Sequence, residues 1–320
     1  MIALYLFGIL LGLFLLYAAV AYRLYHRVPP TDLPCQDCPE PVQVVGFDLY
    51  FRQVGRERGR PPVVLLHGGP SQSSLSFKNS FDFLGDERRV IYYDQRGSGC
   101  SQVRPDPGLY TLDQLVAELE ALRREQIRSE RIVVVGHSFG SALAQRYALQ
   151  YPQRVDRLVL IGGVRINNGI RSHWLWKWFG PAFYSFAEGL PPRAAADADE
   201  WFTRGGEAAN LKRLSDPRRR DLIDGHGPLH FAPWLAISLS AAGYDYRSEL
   251  SRLQVPTLVL FGKADAPYTG RAAAGQICAS LPICTGVEFE ASGHWPFLEE
   301  PEKFCQVLRA FLEAGPPPDE

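Results

Sequence analysis

The chain lacks an excess of either charge: 34 Lys and Arg stand against 35 Asp and Glu, a formal net charge of −1. Nucleic acid is held mainly by clustered cations, so it is excluded as a partner. The short run Arg218-Arg219-Arg220 reads as a solvated edge. Metal-ligand spacing is scarce too. Cys35-Gln36-Asp37-Cys38 has no second Cys-x-x-Cys to complete a zinc set, and reads as a local disulfide or two free thiols in a linker. Of the six cysteines, Cys278 and Cys284 lie close enough around Leu281-Pro282 to bridge, with buried thiols as the alternative. A polar, low-complexity composition is absent as well. With 46% hydrophobic and 22% charged residues over 320 positions, the chain can bury a large core.

What is present begins with an uncharged stretch. Ile2 to Tyr22 carries no charged side chain and is long enough to cross a hydrocarbon core, so a single-pass N-terminal membrane anchor over 1–22 is expected, with the lipid bilayer as partner. A cleaved signal peptide ending near Ala19-Val20-Ala21 is the rival reading. Arg23 and Arg27 follow the stretch and would keep the main domain in the cytoplasm. An even cysteine count instead suits an oxidising compartment, so the side of the membrane stays open. Residues 23–41, rich in proline and aspartate from Val28 to Pro41, read as a linker.

From residue 42 the pattern is that of an α/β protein. Val42 to Val54 alternates like two antiparallel strands with a turn near Gly46. Short apolar runs then alternate with helical periodicity: Val63–Leu66, Val90–Tyr93, a helix from Leu112 to about Gln126, Ile132–Val135, a helix to Gln150, and Leu158–Ile161. Such alternation implies a mostly parallel sheet covered on both faces. Thr111 with Gln114 is a capping box for the first helix. The alternation stops between Gly163 and about Arg252. It resumes with Thr257–Phe261, a helix near Arg271–Ser280, Gly286–Phe289 and an amphipathic helix from Pro301 to Glu313. The expected division is a core over 42–163 and 253–314, a helical cap over 164–252 and a tail over 315–320. His173 to Phe179, with three tryptophans, reads as cap core or as an apolar lid.

The chemistry centres on Gly136-His137-Ser138-Phe139-Gly140, which falls between the run Ile132–Val135 and a helix. A serine on such a strand–turn–helix is exposed over the end of a sheet. Its hydroxyl is a poor nucleophile unless a base takes its proton and a carboxylate holds that base. Asp265 and His294 follow strands of the same sheet, so all three are expected at one sheet edge. Asp245 is the rival acid, and helix capping is the plain alternative for Asp265. His67-Gly68-Gly69-Pro70 follows the strand Val63–Leu66, and the backbone N–H groups of Gly69 and Phe139 are the expected oxyanion donors. His137 beside the nucleophile is expected to point away from it.

Together, His67-Gly68-Gly69-Pro70, Asp94-Gln95-Arg96-Gly97-Ser98-Gly99 with Ser101, the elbow at Ser138, Asp265 and Gly293-His294 resemble the α/β-hydrolase superfamily. Within it they look most like the proline iminopeptidases. The resemblance covers roughly 42–313 outside the insertion. It implies an eight-stranded, mostly parallel sheet with helices on both faces, a helical cap and a catalytic triad of Ser138, Asp265 and His294. Departures are Ser71, where those enzymes carry glycine, Cys100, where they carry arginine, and His137 and Phe139 in the elbow. Glu188, Glu200 and Glu207 are available cap carboxylates for a substrate amine, but none matches a family position.

The resulting expectation is a serine hydrolase that needs no metal or organic cofactor and acts on a small-molecule or peptide substrate through an acyl-enzyme. The wording of Asp94 to Gly99 favours an aminopeptidase. The anchor and the tryptophan-rich cap favour, as the alternative, an esterase or lipase on acyl esters near a membrane. A non-catalytic binding protein of the same fold is the reading from another class. Nothing in the sequence bears on oligomeric state.

Overall fold

A computed structural model describes residues 8–9, 11–16, 40–164, 210–223, 229–241 and 246–314. Nine strands are found there: β1 (Val42–Val44), β2 (Phe47–Leu49), β3 (Phe51–Val54), β4 (Val63–Leu66), β5 (Val90–Tyr93), β6 (Ile132–His137), β7 (Val155–Ile161), β8 (Thr257–Gly262) and β9 (Cys284–Phe289). The main sheet runs β3-β5-β4-β6-β7-β8-β9. Only β3 is antiparallel to its neighbour, and β5, β4, β6, β7, β8 and β9 pair in parallel.

The central strands are continuous apolar runs because both faces are covered. Successive residues divide between two cores: Val64, Leu66, Val134, Leu158 and Leu160 pack on one side, Val63, Leu65, Val133, Val135 and Val159 on the other. The helices Leu112–Leu122 and Phe139–Gln150 bury Leu115, Leu119, Leu122, Leu143, Ala144 and Ala148 in the first core. The helix Pro301–Glu313 buries Phe304, Leu308 and Leu312 in the second. The capping box forms: Thr111 Oγ1 accepts from Gln114 N, and Gln114 Oε1 accepts from Thr111 N, both at 3.2 Å. That helix ends at Leu122, earlier than its periodicity suggests, and a wider turn over Arg123–Ile127 carries the chain to Arg128, in the left-handed region at φ 52°.

Two expectations are corrected. The main sheet has seven strands among the described residues rather than eight, because β1 and β2 form a separate hairpin. The chain parts from β1 at Tyr50, whose N–H donates to Ser101 Oγ at 2.9 Å, and from Phe51 onward it pairs with β5. The membrane anchor and the membrane localisation that followed from it are also overturned. Among the described residues no helix is long and apolar enough to cross a bilayer. Residues 8–9 and 11–16 are helical, and a hydrocarbon core demands roughly 20 apolar residues in one helix. The rest of 2–22 lies outside the described residues.

The linker lies outside them too, except residues 40 and 41, as does the tail. The described parts of the insertion include the helix Phe231–Ala241 and no strand. The tryptophan cluster at 173–179, Asp245 and the three cap glutamates fall outside. Cys278 and Cys284 are disulfide-bonded, with Cα atoms 5.2 Å apart. Cys100 is also in a disulfide, and Cys305 is free.

Candidate active site

Every parallel strand that matters here ends at one edge of the sheet. Ser138 follows β6 directly, with φ 53° and ψ −119°, a conformation non-glycine residues rarely adopt and one typical of a sharp strand-to-helix turn. Its N–H donates to Ile161 O at the end of β7, at 2.8 Å. The flanking glycines make this turn possible by close approach. A Cβ on Gly136 would lie 2.2 Å from Gly140 O, and one on Gly140 would lie 2.1 Å from Leu66 O.

Asp265 and His294 are brought together. Asp265 Oδ2 lies 2.8 Å from His294 Nδ1, and both side chains are fully buried. A bare glycine at the end of β8 allows this, since a Cβ on Gly262 would lie 2.0 Å from Gly293 O, beside His294. Asp265 Oδ1 also accepts from Ala266 N at 2.7 Å and from Arg213 Nη2 at 3.3 Å. Burial pushes the Asp265 carboxyl up, but His294 and Arg213 outweigh it and hold it at about 2. Burial, then the Arg213 charge, drives His294 down to about 4 against the pull of Asp265. Its Nε2 is buried and makes no hydrogen bond within the described residues. That is the atom a general base must keep free for a hydroxyl proton.

His137 packs against the candidate base. Its ring lies 4.6 Å from that of His294, and its Nε2 is 3.0 Å from His294 O, so the residue beside Ser138 supports the backbone of the candidate base. Burial and the nearby His294 hold His137 well below its ordinary value. Both imidazoles thus bind protons more readily in the unfolded chain than in the folded one. Stability is fully present above about pH 6.5 and falls as pH drops from there toward 4, by about 1.4 kcal/mol per unit of depression. Urea unfolding at pH 7 and pH 5 should show the lower midpoint at pH 5.

The loop after β4 completes the edge. Gly69 takes φ 117° and the Gly69-Pro70 peptide is cis. A Cβ on Gly68 would lie 3.1 Å from Ser138 Cβ and 3.0 Å from Gln72 Oε1, so this backbone passes directly over the serine. Phe139 is the first residue of its helix, and its N–H therefore has no acceptor in that helix. The loop is held by charges that do not face the serine. Asp94 accepts from Ser74 N at 2.6 Å, Ser73 Oγ at 3.1 Å and Cys100 N at 2.8 Å. Arg96 pairs with the buried Glu118 at 2.7 Å. Ser71 clasps the insertion: its hydroxyl donates to His230 O at 2.6 Å and accepts from His230 N at 2.7 Å.

Sequence reasoning missed Arg213, His137 and the Ser71–His230 clasp as parts of this site. The hydroxyl at Ser71, where the resembling enzymes have glycine, was the one local signal. Among the described residues no group of three or more His, Cys, Asp or Glu could hold a metal ion. A hydroxyl on a strained turn, a buried imidazole with Nε2 unpaired and a buried carboxylate are the groups that acyl transfer by proton shuttling uses.

Comparison with known proteins identifies the family. The family model described as alpha/beta hydrolase fold matches residues 61–301. The proline iminopeptidase of Lactobacillus helveticus (strain DPC 4571) is 30% identical over 295 residues, covering 84% of this chain and 95% of that protein. That of Saccharolobus solfataricus is 26% identical over 291 residues, covering 85% and 91%. Among solved structures, the enol-lactonase from Burkholderia xenovorans LB400 superposes with a TM-score of 0.69 at 20% identity, covering 86% of this chain and all of that one. A thermophilic esterase from Thermogutta terrifontis does so with a TM-score of 0.60 at 28% identity, covering 85% and 96%. The chain belongs to the α/β-hydrolase family, is similar to the proline iminopeptidases within it, and is a hydrolase.

Proposed function

We propose that the chain is a serine hydrolase working through an acyl-enzyme, and that it removes N-terminal prolyl or small residues from peptides. The observation that carries the mechanism is the buried Asp265–His294 pair, with Nε2 unpaired, at the sheet edge where the strained turn presents Ser138. In this mechanism Ser138 Oγ attacks the carbonyl carbon as its proton passes to His294 Nε2. Asp265 holds the Nδ1–H tautomer and stabilises the imidazolium. The N–H groups of Gly69 and Phe139 take up the charge on the carbonyl oxygen. His294 then returns the proton to the leaving amine as the C–N bond breaks, and water releases the acyl group by the same steps.

The peptide preference rests on the two proline iminopeptidases. A second reading, an acyl ester as substrate, is favoured by the likeness to the Thermogutta terrifontis esterase. Purified full-length chain offered a prolyl arylamide and a short-chain acyl ester separates the two. Release of the arylamine well above that of the ester product is the expected result. Ester cleavage alone would replace the peptide reading, and failure on both substrates would sink both.

A further inference from the structure

The insertion reaches the back of the site as well as its mouth. Arg213 lies there with one guanidinium nitrogen, Nη2, 3.3 Å from Asp265 Oδ1, 2.9 Å from Thr269 Oγ1 and 2.8 Å from His294 Nδ1. Its backbone is fixed on the same residue, since His294 N donates to Arg213 O at 2.9 Å. A Cβ on Gly293 would lie 2.0 Å from that carbonyl. The Tyr268 ring covers the guanidinium at 5.5 Å. With His294 in the Nδ1–H tautomer, the two hydrogens of Nη2 serve Asp265 Oδ1 and Thr269 Oγ1 and Nδ1–H serves Asp265 Oδ2, while Nη2 and Nδ1 meet as a close contact with no shared proton. The carboxylate thus bridges a permanent cation and a ring that would become a second cation on protonation.

We infer that Arg213 is a positioning residue that acts through Asp265 and His294: it fixes the carboxylate so that Oδ2 faces Nδ1, and its charge disfavours the imidazolium, so that His294 stays an unprotonated base in acid. The groups facing His294 are Asp265 from the loop after β8, Arg213 from the insertion and His137 from the end of β6. Among the described residues Asp265 is the anionic group that bonds the ring, with Glu299 Oε1 behind the backbone, where it accepts from Gly293 N at 2.9 Å and Trp295 N at 3.1 Å, and Arg213 offsets Asp265. The depression of His294 to about 4 agrees with this balance, with burial the larger cause and Arg213 the next. The inference rests on the serine-hydrolase reading for its kinetic readout only.

The test is the rate of fluorophosphonate labelling of the full chain between pH 4 and 9, each variant normalised to its own plateau. Arg213→Gln should raise the acid limb by about one to two pH units, a roughly two- to tenfold relative loss at pH 5 for a limb that starts at about 4. Arg213→Lys, which retains a cation, should stay near the wild type. An unmoved limb in Arg213→Gln overturns the inference, and so does an Arg213→Lys limb displaced as far as that of Arg213→Gln. Should Arg213→Gln not fold, Arg213→Met takes its place, and NMR titration of His294 in wild type and variant reads the effect directly: a midpoint at least about one unit higher in the variant supports the inference, and a smaller change overturns it. A wild-type chain that takes no label at any pH refutes the serine-hydrolase reading, while the NMR midpoint continues to test Arg213.

Discussion

Ser138→Ala should lower kcat by about 10⁴-fold or more while leaving the chain folded. In the proposed mechanism the hydroxyl supplies the attacking oxygen, so its removal ends the covalent route rather than weakening it. The fold does not depend on that oxygen: Ser138 makes no side-chain cap to its helix, and alanine keeps the same Cβ at φ 53°. His294→Gln should cost a similar factor, because a serine without its base is nearly as inert as no serine. The double variant should then be scarcely slower than either single one, since groups that act as a unit do not add. Steady-state kinetics on the preferred substrate, with unfolding midpoints measured alongside, check this. Multiplicative losses in the double variant would show that Ser138 and His294 act separately.

Much of this site was legible in the sequence because it is built from strand ends. The runs Val63–Leu66, Ile132–Val135 and Thr257–Phe261 announce buried parallel strands, and parallel strands share one edge. The residues just past them, Gly68-Gly69, Ser138 and Asp265, therefore had to gather. His294 follows β9 in the same way. Phase was harder than existence. β9 starts at Cys284, two residues before its apolar alternation, because the disulfide and the pairing of Thr257 with Cys284 extend the ladder.

Illegible features were those created by contacts between distant segments. Arg213 carries no local motif, and only the fold brings it 81 positions along the chain to His294. His137 looked like a spectator because neighbouring strand residues face opposite ways, yet the strand ends there, and the turn lets its ring reach His294 O. The uncharged N-terminal stretch misled for the converse reason. Hydropathy reports what a segment could bury and not what helix it makes, and no helix of the described residues is long and apolar enough to cross a membrane.

The run Asp94-Gln95-Arg96-Gly97-Ser98-Gly99 carried the family resemblance, and in the structure its charges serve the scaffold. Arg96 Nε donates to Glu118 Oε2 at 2.7 Å and its N–H to Oε1 at 3.2 Å. The guanidinium also lies over the Phe47 ring at 4.4 Å. Glu118 is wholly buried, and burial pushes its carboxyl up against the opposing pull of Arg96. Arg96→Met should therefore destabilise the chain by about 3–5 kcal/mol, the cost of leaving a buried carboxylate without its cation. Adding Glu118→Leu should recover most of that loss, because an apolar pair of similar volume leaves no charge to solvate.

The sign of the pH dependence gives a second check on the same variant. Without Arg96 the folded-state value for Glu118 rises further above its unfolded value, so the folded chain binds the proton more readily than the unfolded chain. The deficit of Arg96→Met should then grow as pH rises from the unfolded carboxyl value toward the raised folded one, and be smaller at pH 5 than at pH 8. Urea unfolding of the wild type, the single variant and the double variant at both pH values measures it. A deficit that is the same at both would mean that the loss comes from packing against Phe47 and not from the stranded carboxylate.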